Sequence, residues 1–133
     1  MISAVEIEDA FPQVNPGVRP LGARVLVQLR MVRQVTAGGI VLAPATREFN
    51  EAVCQFAKVV ALGPLAFRNR TTGELWPEGM WASPGDVVRV PRYGGDRMAK
   101  EIPEGTIVFV IFDDAQIDAI IDPENLASLD ELI

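Results

Sequence analysis

The chain has 133 residues, which is enough for one domain built around a single core. Its 49% hydrophobic and 23% charged residues exclude a disordered or fibrous protein. The net charge of −6 disfavours general binding of nucleic acid, because an acidic surface repels phosphate groups. That argument is weaker for residues 18–112, which contain all 12 basic residues and are mildly basic.

Strand patterns occupy the first half of the chain. RVLVQLRMV (24–32) places apolar side chains at alternate positions, which predicts a strand. VCQFAKVVAL (53–62) is rich in β-branched residues and predicts a second strand, which Gly63-Pro64 ends. In TTGELW (71–76) a glycine between short apolar stretches predicts a small hairpin.

Two turn motifs divide the second half of the chain. SPGD (83–86) has proline at the favoured second position of a turn and precedes VVRVPRY (87–93), the third predicted strand. IPEG (102–105) precedes TIVFVIF (106–112), whose continuous apolar run predicts a strand buried on both faces. AQIDAII (115–121) fits a final strand or a short helix, and its length does not decide between them.

These strands and turns, without a long helical period, indicate an all-β barrel or sandwich. The C-terminal end has a different pattern. Asp122-Pro123 matches a helix N-cap and first helical position, and Leu126, Leu129 and Ile133 then share one helical face. We therefore predict a short C-terminal amphipathic helix.

The chain has few residues suited to catalysis or metal binding. It contains no histidine, the commonest general base and metal ligand. Its single cysteine, Cys54, lies in an apolar strand pattern, which predicts a buried inert thiol. Asp113, Asp114 and Asp118 lack the ligand spacing of a calcium loop, so a solvated edge is favoured over a cation site. We predict no catalytic, cofactor-binding or metal-binding residue.

The predicted compartment is the cytoplasm, and no membrane partner is expected. A single cysteine cannot form an internal disulfide, which is typical of a reducing compartment. No apolar run reaches the length of about 18 residues that a membrane span needs. The acidic first residues, MISAVEIEDAF, differ from a signal or transit peptide.

Glycine pairs occur at Gly38-Gly39 and Gly94-Gly95, and neither matches a phosphate-binding motif. The first pair precedes the aliphatic tripeptide Ile40-Val41-Leu42. This tripeptide lies within the roughly twenty residues that separate the first two strands, a length that is usually functional or disordered. The pattern alone is equally compatible with a binding loop and with a short core strand that the glycines turn.

Five segments together carry a resemblance to a known family. They are VRPLGARVLVQLR (18–30), TAGGIVL (36–42), KVVALG (58–63), PGDVVRVPRYGG (84–95) and GTIVFVIFDDAQIDAII (105–121). In this order they resemble the ten-kilodalton co-chaperonins, the GroES family, over about residues 18–121. Extensions at 1–17 and 122–133 go beyond the family's usual ends, which is more like a divergent or virus-encoded member than a standard bacterial one.

The resemblance implies a β-barrel subunit without enzymatic activity of its own. Seven copies are expected to form a dome that caps a GroEL-type chaperonin ring and encloses a client protein during an ATP cycle. The chaperonin binds the ATP, so no cofactor is expected in this chain. No nucleic acid partner is expected either.

The segment that matches residues 31–52 is a mobile loop in the family and binds the chaperonin. The resemblance assigns this contact to Gly38, Gly39, Ile40, Val41 and Leu42. The three aliphatic side chains are expected to dock in an apolar groove of the chaperonin. This favours the binding loop over the core strand.

Residues 64–81 take the place of the family's roof hairpin. The charged residues expected to face the roof opening or the cavity are Arg68, Arg70 and Glu74. Trp76 and Trp81 are expected at the hairpin base, where their large area favours ordinary packing.

Subunits of the family pair strands near 18–22 and 115–121 of neighbouring copies, which removes exposed strand edges. The interface residues that this implies are Leu21, Ile117 and Ile120. Each of them presents an apolar side chain for contact with a neighbouring copy.

Two other classes of function remain as alternatives. A small β-barrel module would bind nucleic acid or another ligand through the mildly basic middle of the chain. An enzyme domain with a similar barrel is the third class, but the chain lacks histidine and a dinucleotide-binding motif.

Overall fold

A computed structural model describes residues 11–30, 56–91, 94–103 and 105–122. Strands β1 to β6 of this part are Arg24–Leu29, Phe56–Leu62, Val87–Arg89, Asp96–Ile102, Gly105–Asp113 and Ala119–Ile120. A single 3-10 turn, Asp114–Gln116, lies between β5 and β6. The prediction of an all-β chain is confirmed.

All six strands belong to one antiparallel sheet in the order β4-β5-β1-β2-β3-β6. Strand β1 lies inside the sheet, with β5 on one side and β2 on the other. The β1–β2 register shifts between Leu26 and Val27, which marks a bulge in this ladder. Strands β4 and β6 form the two edges.

Alternate side chains of β1 and β5 enter two separate apolar clusters. In β5, Val108, Val110 and Phe112 join the main core, whereas Ile107 and Phe109 belong to a second cluster. The main core also contains residues of β1, β2 and β3, namely Val25, Val27, Leu29, Ala57, Val59 and Val88. Both faces of β5 are therefore buried, as its continuous apolar sequence predicts.

The strands differ from their predicted lengths mainly at the ends. Strand β1 ends at Leu29, and β3 covers only Val87–Arg89 of the predicted 87–93. The predicted turn at 83–86 is confirmed, because the Asp86 amide donates to the Ser83 carbonyl oxygen at 3.0 Å. The Asp86 carboxylate accepts in return from the Ser83 amide at 2.9 Å.

Residues 115–121 contain a turn and a very short strand. The 3-10 turn ends at Gln116, and β6 then pairs with β3 through Ile120 opposite Val88. Strand β4 was not predicted from the sequence. The predicted loop 31–52, the Cys54 thiol and the C-terminal helix from Pro123 onward lie outside the described residues.

Candidate functional site

The segment from Gly63 to Trp81 lies between β2 and β3 along the chain, and it begins at a close backbone contact. The Gly63 amide donates to the Arg24 carbonyl oxygen, and the Leu65 amide donates to the Gly22 carbonyl oxygen, both at 2.8 Å. A Cβ atom at Gly63 would overlap the Gly22 carbonyl oxygen. Only glycine fits at this position, so the end of β2 is held tightly against the start of β1.

Hydrogen bonds within the segment form a small hairpin. Arg68 and Leu75 form an isolated antiparallel bridge, and the Asn69 amide donates to the Glu74 carbonyl oxygen at 2.8 Å. At the tip, the Asn69 side-chain oxygen accepts from the Thr71 amide at 2.8 Å. The hairpin predicted around 71–76 is present, with one bridged pair instead of two extended strands.

A buried carboxylate holds the base of this hairpin. Asp114 is 5% exposed, and its Oδ2 accepts from the Phe67 amide at 2.9 Å. Its Oδ1 accepts from the Arg70 guanidinium at 3.1 Å. Phe67 has a φ of 59°, the left-handed region that a bulky side chain rarely occupies. The prediction that Asp114 belongs to a solvated edge is wrong, because its partners in the hairpin bury it.

Aromatic rings cover the same base. The Phe67 ring is fully buried, and the centroid of the Trp81 ring lies 5.6 Å from it. Trp76 stacks on Trp81 with centroids 6.1 Å apart and planes 11° apart. The two rings pack at the hairpin base as predicted, but Trp76 is only half-buried and Trp81 is exposed on the isolated subunit.

The three predicted roof charges have different environments. Arg68 is half-buried and donates to the Gly73 carbonyl oxygen at 3.2 Å, inside the hairpin itself. Arg70 is exposed but pairs with Asp114. Glu74 has an exposed side chain. The hairpin thus uses two of these charges to hold its own shape.

Large apolar side chains are exposed in two groups. The first lies in the segment before β1 and in β6, and contains Val18, Leu21 and Ile120, exposed by 39%, 67% and 47%. The second lies along the hairpin segment and contains Leu65, Leu75, Met80 and Trp81. The first group falls in the two segments, 18–22 and 115–121, that the family resemblance implies at the contact between subunits.

Two of the three predicted interface residues lie open on the isolated subunit. These are Leu21 and Ile120, whereas Ile117 is half-buried and packs against the main core of its own chain. Strand β6 is short and lies at one edge of the sheet, beside β3 only. The predicted chaperonin-binding residues, Gly38, Gly39, Ile40, Val41 and Leu42, lie outside the described residues.

The part of the chain that the structure describes gives little support for a metal site or a polyanion site. There, no three His, Cys, Asp or Glu side chains come together in a way that could hold a metal ion. An open cleft of about 380 Å³ has Arg24, Asp96 and Asp113 as its charged lining. One guanidinium beside two carboxylates does not attract a polyanion.

The second glycine pair packs against β5. A Cβ atom at Gly95 would overlap the Val110 side chain, and its φ of 76° lies in the left-handed region. The pair therefore allows the chain to approach β5 closely at the start of β4. Within 11–30, 56–91, 94–103 and 105–122, no helix has the length and apolar character needed to cross a membrane.

Comparison with known proteins identifies the class of this all-β subunit. Residues 17–121 match the family model described as the chaperonin 10 kDa subunit. The chain is 36% identical over 86 residues to a co-chaperonin GroES of Methylacidiphilum infernorum, a match that covers 62% of this chain and 75% of that relative. It is also 36% identical over 98 residues to a mitochondrial 10 kDa heat shock protein of Oryzias latipes, covering 74% and 87% of the two chains.

The chain therefore belongs to the chaperonin 10 kDa family and has its GroES-like β-barrel fold. It is a co-chaperonin and not an enzyme. One relative is mitochondrial and the other is a bacterial GroES, so the cytoplasmic compartment stays a prediction.

Replacing Asp114 by alanine is expected to destabilise the subunit. The Phe67 amide would lose its buried acceptor, which costs about 1–3 kcal/mol, and loss of the partly exposed ion pair adds at most about 1 kcal/mol. Urea denaturation measures the free energy of unfolding. Tryptophan fluorescence reports the hairpin base, because Trp81 packs on Phe67.

Two further variants separate this contact from general charge effects. Asp114→Asn keeps an oxygen for the Phe67 amide, so we expect a smaller loss than for alanine. Asp118→Ala removes an exposed carboxylate close by and should change the free energy of unfolding by less than about 0.5 kcal/mol. Equal effects of Asp114→Ala and Asp118→Ala would contradict the structural role of Asp114.

Proposed function

We propose that seven copies of this chain form a ring that caps a GroEL-type chaperonin and encloses a client protein while the chaperonin hydrolyses ATP. Membership of the chaperonin 10 kDa family supports the partner, and the exposed apolar group of Val18, Leu21 and Ile120 supports assembly. Exposed apolar side chains in the segment before β1 and in the edge strand β6 favour contact with another copy.

In this proposal, loop 31–52 of each copy carries the contact with the chaperonin. Ile40, Val41 and Leu42 dock in an apolar groove, and Gly38 and Gly39 precede them. Burial of three aliphatic side chains yields about 1.5–3 kcal/mol each. Ordering the loop opposes binding by about 1–2 kcal/mol per residue fixed, so one copy alone binds weakly.

The hairpin at 64–81 forms the roof of the dome in this proposal. Its internal hydrogen bonds and the tie to Asp114 keep it in one orientation relative to the sheet. Glu74 presents its exposed carboxylate on this hairpin, and Arg70 keeps its guanidinium at the surface while paired. A rigid roof suits a closed chamber that holds a client.

Two measurements on the full chain test the proposal. Native mass spectrometry is expected to detect a seven-copy species, and size-exclusion chromatography is expected to show co-elution with a GroEL-type chaperonin that requires ATP. A chain that is monomeric at all concentrations would exclude the ring. Salt-sensitive binding to oligonucleotides without any chaperonin contact would instead support the nucleic-acid alternative.

A further inference from the structure

Residues 11–16, the N-terminal strap, lie outside the matched family region but pack on the sheet. The family model begins at residue 17, and the strap precedes it. Phe11 is 1% exposed, and Val14 packs against the second apolar cluster. The acidic residues before the strap lie outside the described residues.

Polar contacts fasten the strap at two separate strands. The Gln28 amide nitrogen of β1 donates to the Pro12 carbonyl oxygen at 2.7 Å. The Lys100 ammonium of β4 donates to the Asn15 carbonyl oxygen, also at 2.7 Å. Gln28 is 3% exposed, so its amide lies buried beneath the strap.

The sheet order places β5 between these two strands. Strands β1 and β4 are separated by two inter-strand spacings, which is about 9–10 Å. The four residues from Pro12 to Asn15, joined by three Cα–Cα steps, span at most about 10–11 Å when extended. The strap therefore crosses the face of β5, bonded to the Gln28 side chain of β1 at one end and to the Lys100 side chain of β4 at the other.

The second apolar cluster lies along this crossing. Its buried members are Leu26, Ile107 and Phe109, from β1 and β5, and Met98 and Ile102 of β4 pack at its side. Beyond the crossing, the Asn15 side chain accepts from the Gly17 amide at 2.9 Å, and the chain turns toward β1.

From these contacts we propose that the N-terminal strap is an intramolecular cover for the second apolar cluster of the sheet. Its occupant is this chain's own segment, and Val14 is its central apolar contact. The cover keeps Leu26, Ile107 and Phe109 away from water and from other proteins. The assignment does not depend on the proposed function, because its contacts lie within one subunit.

An engineered protease site tests whether the strap is docked. The natural chain has no Lys or Arg before Arg19, and trypsin does not cleave the Arg19-Pro20 bond. Gln13→Lys adds a single site at an exposed position of the strap. A docked strap cannot enter the protease, so cleavage after position 13 is expected to be slow.

Detaching the strap should expose that site. Adding Val14→Asn to Gln13→Lys is expected to accelerate release of the N-terminal fragment by at least about tenfold, because a polar amide does not pack in the apolar cluster. Adding Lys100→Ala is the milder change and should give a several-fold acceleration. Glu101→Ala, the exposed neighbour in β4, serves as the matched control and should leave the rate unchanged.

The remaining fragment distinguishes detachment from global unfolding. Lys58 lies in β2, so its site should stay intact while the strap is cleaved. Equal cleavage rates after position 13 in the Gln13→Lys chain and in both double variants would overturn the proposal. Rapid cleavage after position 13 in the Gln13→Lys chain, with Lys58 still protected, would overturn it as well.

Discussion

Replacing Ile40 by aspartate is expected to abolish ATP-dependent co-elution with a GroEL-type chaperonin while the ring of this chain stays intact. Loss of one buried isoleucine removes about 1.5–3 kcal/mol per contact. Since 1.4 kcal/mol is about tenfold in affinity, each copy loses about 10- to 150-fold. A carboxylate in an apolar groove adds a desolvation cost to this loss.

The loss is larger for a ring than for a single loop. Tethered copies bind tightly together because each later contact is intramolecular, so affinity multiplies across the ring. Every copy of the variant carries the same aspartate. Each loop therefore binds the chaperonin more weakly, and the affinity of the whole ring falls by the product of these losses. Weak single contacts also allow release of the cap, which a cycling chaperonin requires.

Two substitutions in the same loop serve as controls for Ile40→Asp. Thr46→Asp adds the same charge outside the tripeptide and should leave co-elution nearly unchanged. Ile40→Leu keeps the aliphatic volume and should bind within about tenfold of wild type. If the Ile40→Asp ring co-eluted as wild type does, the contact would lie elsewhere in the chain.

The strands with continuous or alternating apolar residues were predicted well, because burial determines their pattern. TIVFVIF needs two buried faces, and the two clusters on β5 provide them. Strand β4, DRMAKEI, was not predicted because its charged residues resemble a loop. Its strand form comes from pairing with β5 over its whole length, from Asp96 opposite Ile111 to Ile102 opposite Gly105. The IPEG turn was the available signal, since a hairpin turn needs a strand on each side.

Contacts between residues far apart in the chain explain why the roles of some residues could not be predicted from the sequence. Asp114 lies 47 residues from Phe67 and 44 from Arg70, so its burial depends on a fold that local pattern does not encode. The strap is similar: Val14 is an isolated apolar residue in a short segment, and only the β1–β5–β4 surface shows what it covers. By contrast, the glycine of TTGELW predicted the hairpin, and the resemblance pointed to Leu21 and Ile120, which are exposed on the subunit.

Replacing Leu21 by aspartate is expected to convert the ring into monomers without unfolding the subunit. Leu21 is 67% exposed in the isolated subunit, so the substitution should change its free energy of unfolding by less than about 0.5 kcal/mol. In the proposed ring the same side chain is buried at every subunit boundary, and an unpaired carboxylate there costs several kcal/mol. A closed ring requires every contact between neighbouring subunits, so the free-energy losses at the individual contacts add.

Native mass spectrometry and urea denaturation together separate these two effects. The Leu21→Asp chain should no longer form the seven-copy species. Its urea midpoint should equal that of wild-type monomers, which are obtained by dilution. Ala99→Asp adds the same charge at an exposed position of β4, the sheet edge opposite β6, and should leave the ring intact. If the Leu21→Asp chain still formed an intact ring, the contact between subunits would not involve the segment before β1. Dissociation by both variants would show that the effect is not specific to Leu21, as expected if added negative charge on a chain of net charge −6 opposes assembly.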